Sequence, residues 1–221
     1  MTDPHTLSVS FPLVPVAAVV VAGAIAIAGI ERGVPKLAWI FKPLATLLLL
    51  GVVGWPHTQF ARLTVAGILL SLIGDVALLS ESDTAFQLGL VAFLAAHVVY
   101  IVANLQAAVW PPATWGVAAV VALATVILLR LVRPPNVVLR VATIVYGVAI
   151  SAMVISAFAT IGGPLRWAPL AAVGAALFYV SDASLAINRF HKPIPHVAYL
   201  AIGVYWLGQL GIALAAHTPL R

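Results

Sequence analysis

Long apolar segments alternate with short polar breaks along the whole chain. The breaks are rich in proline, glycine and charged residues, as in "ERGVPK", "GWPHTQ", "WPPATW" and "RFHKPIP", and such residues interrupt helices. Each apolar segment approaches the ~20 residues that a helix needs to cross the hydrocarbon layer of a bilayer. The pattern therefore predicts eight membrane-spanning helices, at about 12–30, 37–55, 60–80, 86–105, 115–131, 137–158, 167–187 and 196–216.

The overall composition agrees with this pattern. Of the 221 residues, 63% are hydrophobic and only 8% are charged, whereas soluble domains carry about 25% charged residues. We therefore expect an all-α membrane protein, with residues 1–221 forming a single integral membrane domain, a compact bundle of eight transmembrane helices. The chain has no cysteine, which excludes disulfides and thiolate chemistry. The first residues, "MTDPHTLSVSFP", lack a basic region, so a cleaved signal peptide is not expected.

The net charge of +5 sits mostly in short loops, where basic residues act as topology signals rather than as a nucleic-acid surface. The loops on one side carry seven lysines and arginines and the opposite side carries three. These are Arg32, Lys36, Arg130, Arg133, Arg140, Arg189 and Lys192 on one side, and Arg62, Arg166 and Arg221 on the other. The bias predicts a multi-pass protein, in the inner membrane of a bacterial host, with both termini outside.

Two carboxylates interrupt apolar segments and need an explanation. Asp75 lies in "SLIGDVALL" and Asp182 in "FYVSDASLA". An acid at the middle of a membrane helix costs ~2.5–3.5 kcal/mol on insertion scales, so it is a functional candidate by default. The alternative is a hydrogen-bonded packing group or one that is wetted near the interface. Both acids lie about five residues, or roughly 7–8 Å, inside the same membrane face.

Lys42, in "WIFKPLATLLLL", lies at a similar depth in the second helix. The two acids and this lysine therefore predict a shared pocket that opens toward the cytoplasmic leaflet. The alternative for Lys42 is a side chain that extends to the nearby interface.

Other polar side chains lie deeper in the expected helices. His97 and Tyr100 share one helix face, as do Tyr205 and Gln209. Ser71 lies one turn before Asp75, and Tyr146 is near the middle of the sixth helix. A lone buried histidine is more often structural than catalytic, but His97 lies on a helix that adjoins the expected pocket.

The sequence lacks the residues that several common catalytic chemistries require. His97 is the only histidine in the interior of an expected helix, whereas zinc needs three or four ligands. The sequence has neither a G-x-S-x-G nucleophile motif nor a G-x-x-x-x-G-K-[ST] phosphate loop. We therefore expect no metal and no organic cofactor, and a site built from two carboxylates with His, Tyr, Gln and Lys around them.

Five segments in this order resemble the YhhN-like lysoplasmalogenase family, called transmembrane protein 86 in animals. They are "FKPLATLLL", "SLIGDVALL", "FQLGLVAFLAAHVVYI", "GAALFYVSDASLAINRF" and "YWLGQ". One departure is Gly208, where the family pattern has alanine before Gln209. The resemblance implies an eight-span hydrolase that cleaves the vinyl ether of lysoplasmalogens to a fatty aldehyde and a glycerophospho-choline or -ethanolamine. The positions that it marks as functional are Lys42, Asp75, His97, Tyr100, Asp182, Tyr205 and Gln209.

Two carboxyl groups suit this reaction. A vinyl ether opens when a proton is placed on its β-carbon, which creates an oxocarbenium ion that water then traps. In a low-dielectric site with two neighbouring carboxyls, one favours the protonated form and the other stays ionised, a division of labour that glycosidases also use. Asp75 and Asp182 are the catalytic pair in this hypothesis, with the two roles unassigned. His97 or Tyr205 would orient water, and Lys42 would meet the phosphate of the lysophospholipid substrate.

Other functions also fit the sequence. Intramembrane acids, histidine and tyrosines build proton relays, so a proton-coupled transporter of a small molecule or lipid is an alternative, although the two halves of the chain show only weak internal similarity. A second alternative is a related lysolipid hydrolase that acts on another linkage. A third is a non-enzymatic membrane scaffold, which does not explain two acids at one depth. No nucleic-acid partner is expected, and the sequence favours no particular oligomeric state.

Overall fold

A computed structural model describes residues 11–80, 82–197 and 199–217 of the chain. Within these residues all helices are long and apolar enough to cross a membrane, which confirms the prediction of an all-α bundle of eight transmembrane helices. Their bounds are α1 Leu13–Glu31, α2 Pro35–Val53, α3 Gln59–Ala77, α4 Asp83–Leu105, α5 Ala113–Leu131, α6 Val137–Phe158, α7 Ala168–Phe190, and α8 Val204–His217 with a preceding π-helical turn, Tyr199–Gly203. Most ends differ from the expected ones by three residues or fewer, as where α3 ends at 77 rather than 80, and the largest difference is at α8, whose regular helix begins at Val204 rather than at 196.

Side-chain caps explain where three of these helices begin. Thr58, Ser82 and Asn136 precede α3, α4 and α6, and each accepts a hydrogen bond from a backbone N–H three residues later, at 3.1, 3.1 and 2.9 Å. Such caps satisfy an N–H group that has no partner within the helix. The cap at Ser82 fixes the start of α4 immediately before Asp83, the first residue of that helix.

Three pairs of helices pack most extensively: α1 with α2, α3 with α4, and α7 with α8. The α7–α8 pair approaches closely because glycines face each other. A Cβ atom on Gly208 would lie 2.7 Å from the carbonyl oxygen of Gly174, so only residues without a side chain allow this approach. α2, α3 and α8 also contact one another, whereas α5 lies outside and packs on α6 and α7.

The chain enters the last membrane helix through a π-helical turn, where the sequence pattern predicts an ordinary helix from residue 196. Tyr199–Gly203 forms this turn, and the Ser181 hydroxyl of α7 donates a 2.5 Å hydrogen bond to the carbonyl of Ala201. A π turn frees carbonyl groups from the regular helical pattern, and such turns are frequent at functional sites. Here it directly precedes Tyr205, one of the predicted site residues.

Candidate active site

Asp75 lies at the meeting point of α2, α3 and α8 and is almost completely buried, at 1% exposed. Its Oδ2 accepts hydrogen bonds from the Thr46 hydroxyl at 2.5 Å and from the Tyr205 hydroxyl at 2.8 Å. The Lys42 ammonium lies 3.4 Å from Oδ1 and donates to the Asp75 backbone carbonyl at 3.3 Å. Three donors around one carboxyl match the acceptor-only character of an ionised aspartate.

A hydrogen-bonded chain extends from this carboxylate across the bundle. The Tyr100 hydroxyl of α4 donates to Gln209 Oε1 at 2.7 Å, and Gln209 Nε2 donates to the Tyr205 hydroxyl at 3.3 Å. All three side chains are buried, so each polar group takes its partner from the protein rather than from water. The chain links α4 and α8 to the carboxylate on α3.

The sequence predictions place Ser71 near this cluster, and the structure does so. Ser71 is fully buried on α3 beside Tyr100. The ring of Tyr100 lies against Gly67, where an added Cβ would come within 2.7 Å of the ring carbon Cζ. A glycine at this position is therefore what lets the tyrosine reach Gln209.

Asp182 has a different environment on α7. The Tyr146 hydroxyl of α6 donates to Asp182 Oδ2 at 2.5 Å. His97 Nε2 of α4 lies 3.7 Å from the same oxygen, and its imidazole packs edge-to-face on the rings of Tyr146 and Phe178, at 5.0 and 4.9 Å between centroids. The side chain of Asp182 remains 14% exposed, against 2% for Asp75, so Asp182 is the more accessible of the two acids.

The nine predicted site residues therefore fall into two neighbouring clusters. Lys42, Ser71, Tyr100, Tyr205 and Gln209 gather around Asp75, and His97 and Tyr146 gather around Asp182.

The ring of Phe178 contacts both clusters, because its centroid lies 4.9 Å from that of His97 and 5.0 Å from that of Tyr205. In the described part of the chain no hydrogen bond joins the two carboxyls. The acid–base pairing of Asp75 and Asp182 stays a prediction.

Asp182 and Tyr146 line a narrow apolar cleft between α4, α6 and α7, near the ends of these helices that carry the more basic loops. Its remaining walls are apolar side chains with one threonine. They are Leu78, Phe86, Leu90, Phe93, Thr143, Leu185, Ala186 and Phe190. This arrangement places one carboxyl and one phenol beside a groove that suits an alkyl chain.

Thr46 and Trp206 belong to the Asp75 cluster but were not among the predicted site residues. Thr46 donates to Asp75, and Trp206 Nε1 donates to the Thr46 hydroxyl at 3.3 Å. A signal for Thr46 exists in the sequence, because it follows Lys42 by four residues and so shares its helix face. Trp206 lies next to Tyr205 in "YWLGQ" and carries no comparable signal.

Among the described residues, no three His, Asp or Glu side chains come close enough together to hold a metal ion. The site offers carboxyl, phenol, imidazole and ammonium groups. The fold and this site define a multi-pass membrane protein with two acids inside its helical bundle, of which Asp75 is buried and Asp182 borders an apolar cleft.

Comparison with known proteins identifies the family of the chain. The model of the YhhN family matches residues 37–216, and the chain belongs to this family. It is 32% identical to lysoplasmalogenase TMEM86B of Homo sapiens over 190 residues, which cover 82% of this chain and 77% of that protein. It is 34% identical to lysoplasmalogenase TMEM86B of Sus scrofa over 158 residues, or 70% of this chain and 63% of that protein.

A shorter similarity, 42% over 57 residues, connects the chain with lysoplasmalogenase TMEM86A of Bos taurus and covers 25% of this chain and 24% of that protein. No solved structure matches the chain. The family resemblance inferred from the five sequence segments is confirmed, and the family match spans the helices that carry every predicted site residue.

Proposed function

We propose that this protein is an intramembrane ether hydrolase that cleaves the vinyl ether of lysoplasmalogens, giving a fatty aldehyde and a glycerophospho-alcohol. The similarity to proteins named lysoplasmalogenase supports the substrate class. The observation that carries the proposal is the carboxyl of Asp182, which borders an apolar cleft and accepts a hydrogen bond from Tyr146. This reaction requires an acid held beside an alkenyl chain.

Asp182 is the proton donor in this proposal. The hydrogen bond from Tyr146 occupies Oδ2, which leaves Oδ1 to carry the proton. Transfer of that proton to the β-carbon of the vinyl ether turns the adjacent C–O unit into an oxocarbenium ion and leaves Asp182 as a carboxylate. Water then adds to the cation and returns a proton to Asp182, as the acid of a glycosidase acts in turn as base. The hemiacetal collapses to the aldehyde and the free glycerol hydroxyl.

Asp75 has the complementary role of a fixed negative charge. Lys42, Thr46 and Tyr205 hold it as an acceptor, out of reach of the cleft. A buried charge acts over a longer distance than a solvated one because little water screens it. Lys42 and Asp75 together form a dipole without net charge, and its carboxylate end would stabilise the oxocarbenium ion through space, while His97, 3.7 Å from Asp182, orients the attacking water. The reaction needs no cofactor.

The proposal also covers the orientation of the protein in the membrane and the route by which the substrate enters. The chain forms a single integral membrane domain with both termini outside, and the cleft opens toward the cytoplasmic leaflet, as the excess of basic residues on that side favours. A lysophospholipid would enter from the leaflet between α4 and α6 with its headgroup at the interface. Its sn-1 linkage then lies just below the headgroup, at the depth expected for Asp182.

Purified protein in vesicles, incubated with alkenyl and acyl lysophosphocholine side by side, tests the proposal. We expect aldehyde from the alkenyl lipid, no fatty acid from the acyl lipid, and loss of the aldehyde in the Asp182→Asn variant. Glu31→Gln is the matched control, because Glu31 lies at the end of α1 and pairs with His196. Fatty acid release from the acyl lipid, or transport of lipid without any product, would replace the proposal with one of its alternatives.

A further inference from the structure

A second cleft adjoins the one that contains Asp182, and its lining is polar. It has a volume of about 400 Å³ and shares Phe86 and Phe190 with the apolar cleft. These two rings pack edge-to-face with their centroids 6.0 Å apart, so they form the boundary between the two spaces. The polar side chains of the second cleft are Asp83, Gln87, Arg133, Asn136 and Arg189.

We propose that this polar cleft binds the zwitterionic phosphodiester headgroup of the substrate, with Arg133 and Arg189 on the phosphate and Asp83 on the ammonium group. This inference rests on the proposed function, which it extends to the headgroup. A phosphocholine or phosphoethanolamine group carries one negative and one positive charge a few bonds apart. The cleft presents both complementary charges within one space.

Arg189 is held in a geometry that leaves it able to bind phosphate. Its Nη2 lies 2.6 Å from Asp83 Oδ1, and its guanidinium lies over the ring of Phe86, 4.9 Å from the centroid. The guanidinium has five N–H donors in a rigid fork that matches phosphate oxygens. The Arg189 and Asp83 side chains are 43% and 85% exposed, and exposed ion pairs contribute little to stability. A phosphate can therefore share the fork while Asp83 turns to the ammonium group.

Arg133 approaches from the opposite wall. Its backbone N–H donates to the carbonyl of Phe190 at 3.2 Å, which fixes the loop between α5 and α6 against the end of α7. Arg133 itself is exposed and lines the cleft. Lys42, which the sequence suggests as the phosphate contact, is buried and paired with Asp75, so the structure gives it another partner.

The order of the two clefts matches the order of groups in the substrate. Phosphate, glycerol, vinyl ether and alkyl chain follow one another in the lipid. The polar cleft, the Phe86–Phe190 boundary, Asp182 and the apolar wall follow one another in the protein. A headgroup held by both arginines would place the linkage next to the carboxyl, and because this contact is made equally in the bound substrate and in the transition state, its loss appears in KM rather than in kcat.

Steady-state kinetics on two substrates test the proposal. We expect Arg189→Gln and Arg133→Gln to raise the KM for alkenyl lysophosphocholine at least about tenfold, which is the size expected for loss of a charge-assisted hydrogen bond. The kcat should change little, and the KM for alkenylglycerol, which lacks phosphate, should not change. Arg140→Gln is the matched control, since Arg140 is an exposed arginine on α6 that does not line the cleft. An unchanged KM for alkenyl lysophosphocholine, or an equal rise in KM for both substrates, would overturn the proposal.

Binding without turnover separates this proposal from the proposed function. The probe is 1-O-alkyl lysophosphocholine, a saturated ether that proton transfer does not open, titrated into the wild type and the arginine variants. We expect both arginine variants to bind this probe more weakly. Asp83→Asn should weaken binding of the same probe but not binding of alkyl lysophosphatidic acid, which has no ammonium group. Glycerophosphocholine should compete more strongly than inorganic phosphate, and the reverse would assign the cleft to free phosphate and refute the headgroup site. Arginine-dependent binding in a protein that cleaves no vinyl ether would refute the proposed function alone.

Discussion

Replacement of Lys42 by methionine is expected to destabilise the protein severely, and a second change, Asp75→Asn, is expected to restore most of the loss. The ammonium of Lys42 lies 3.4 Å from Asp75 Oδ1, and the two side chains are 9% and 2% exposed. Methionine has nearly the same length as lysine and fills the same space, so the change removes the charge rather than the packing. The single variant leaves a buried carboxylate without its cation, whereas the double variant leaves no charge.

The structure sets the size of this effect. Coulomb's law at 3.4 Å with an effective dielectric constant of ~20 gives about 5 kcal/mol for the attraction between the two groups. Removal of one partner of a buried ion pair costs about 3–5 kcal/mol in general. The two remaining donors to Asp75, Thr46 and Tyr205, reduce the loss toward the lower end. We therefore expect Lys42→Met to lower the free energy of unfolding by about 3 kcal/mol.

Denaturant unfolding of purified protein in detergent, followed by tryptophan fluorescence, measures the four members of this double-mutant cycle. The account predicts a coupling energy of about 2 kcal/mol or more between the two positions, since the effects of substitutions at residues in direct contact are not additive. Additive effects, or a single variant as stable as the wild type, would show that Asp75 is not held as an ionised partner of Lys42. The assignment of Asp75 as the fixed charge would then fail.

Three further variants test other parts of the site. Asp182→Asn should lower kcat for aldehyde release by about 10²–10⁴, the usual worth of a general acid, with an unchanged unfolding midpoint. Tyr205→Phe removes a donor to Asp75 and should lower the free energy of unfolding by ~1.5–3 kcal/mol. Gly67→Ala places a methyl group against the ring of Tyr100 and should cost about 1–3 kcal/mol in the same measurement.

Two control variants accompany these changes. Ser184→Ala on α7 removes an exposed hydroxyl that donates only to the backbone of its own helix, and should leave both kcat and stability near the wild type. Gly116 of α5 has open space around it, so Gly116→Ala should not destabilise the protein. An Asp182→Asn variant with full activity would remove Asp182 from the chemistry, and a neutral Gly67→Ala would show that Tyr100 is not closely packed there.

The sequence predicts the helices and the charged members of the site because a membrane interior makes each charge conspicuous. Asp75, Asp182 and Lys42 stand out as the charged residues within long apolar runs. Thr46 and Trp206 are less conspicuous, since threonine and tryptophan are ordinary in membrane helices, and only the spacing of Thr46 from Lys42 points to it. Their role depends on the rotation of α2 and α8 about their axes, which sets the contacts to Asp75.

The division of the acids into two clusters is a tertiary property. Depth along a helix places both acids at one level, but the ring of Phe178 between His97 and Tyr205 depends on how α7 packs on its neighbours. The π-helical turn at Tyr199–Gly203 is only five residues long, so its hydrophobic pattern does not differ visibly from that of an ordinary helix. Arg133 and Arg189 count as topology signals in the sequence, and only the fold brings them to one cleft beside Asp182.

Transfer of a proton from an enzyme-held acid to carbon is the central claim, and the fate of solvent deuterium tests it most directly. Alkenyl lysophosphocholine is cleaved in D₂O, and the aldehyde is reduced at once to the alcohol so that later exchange is prevented. The account predicts one deuterium at carbon 2 in a single configuration, because the Asp182 carboxyl lies on one side of the cleft. Equal amounts of the two configurations would show that the proton comes from free solution, and would contradict the account.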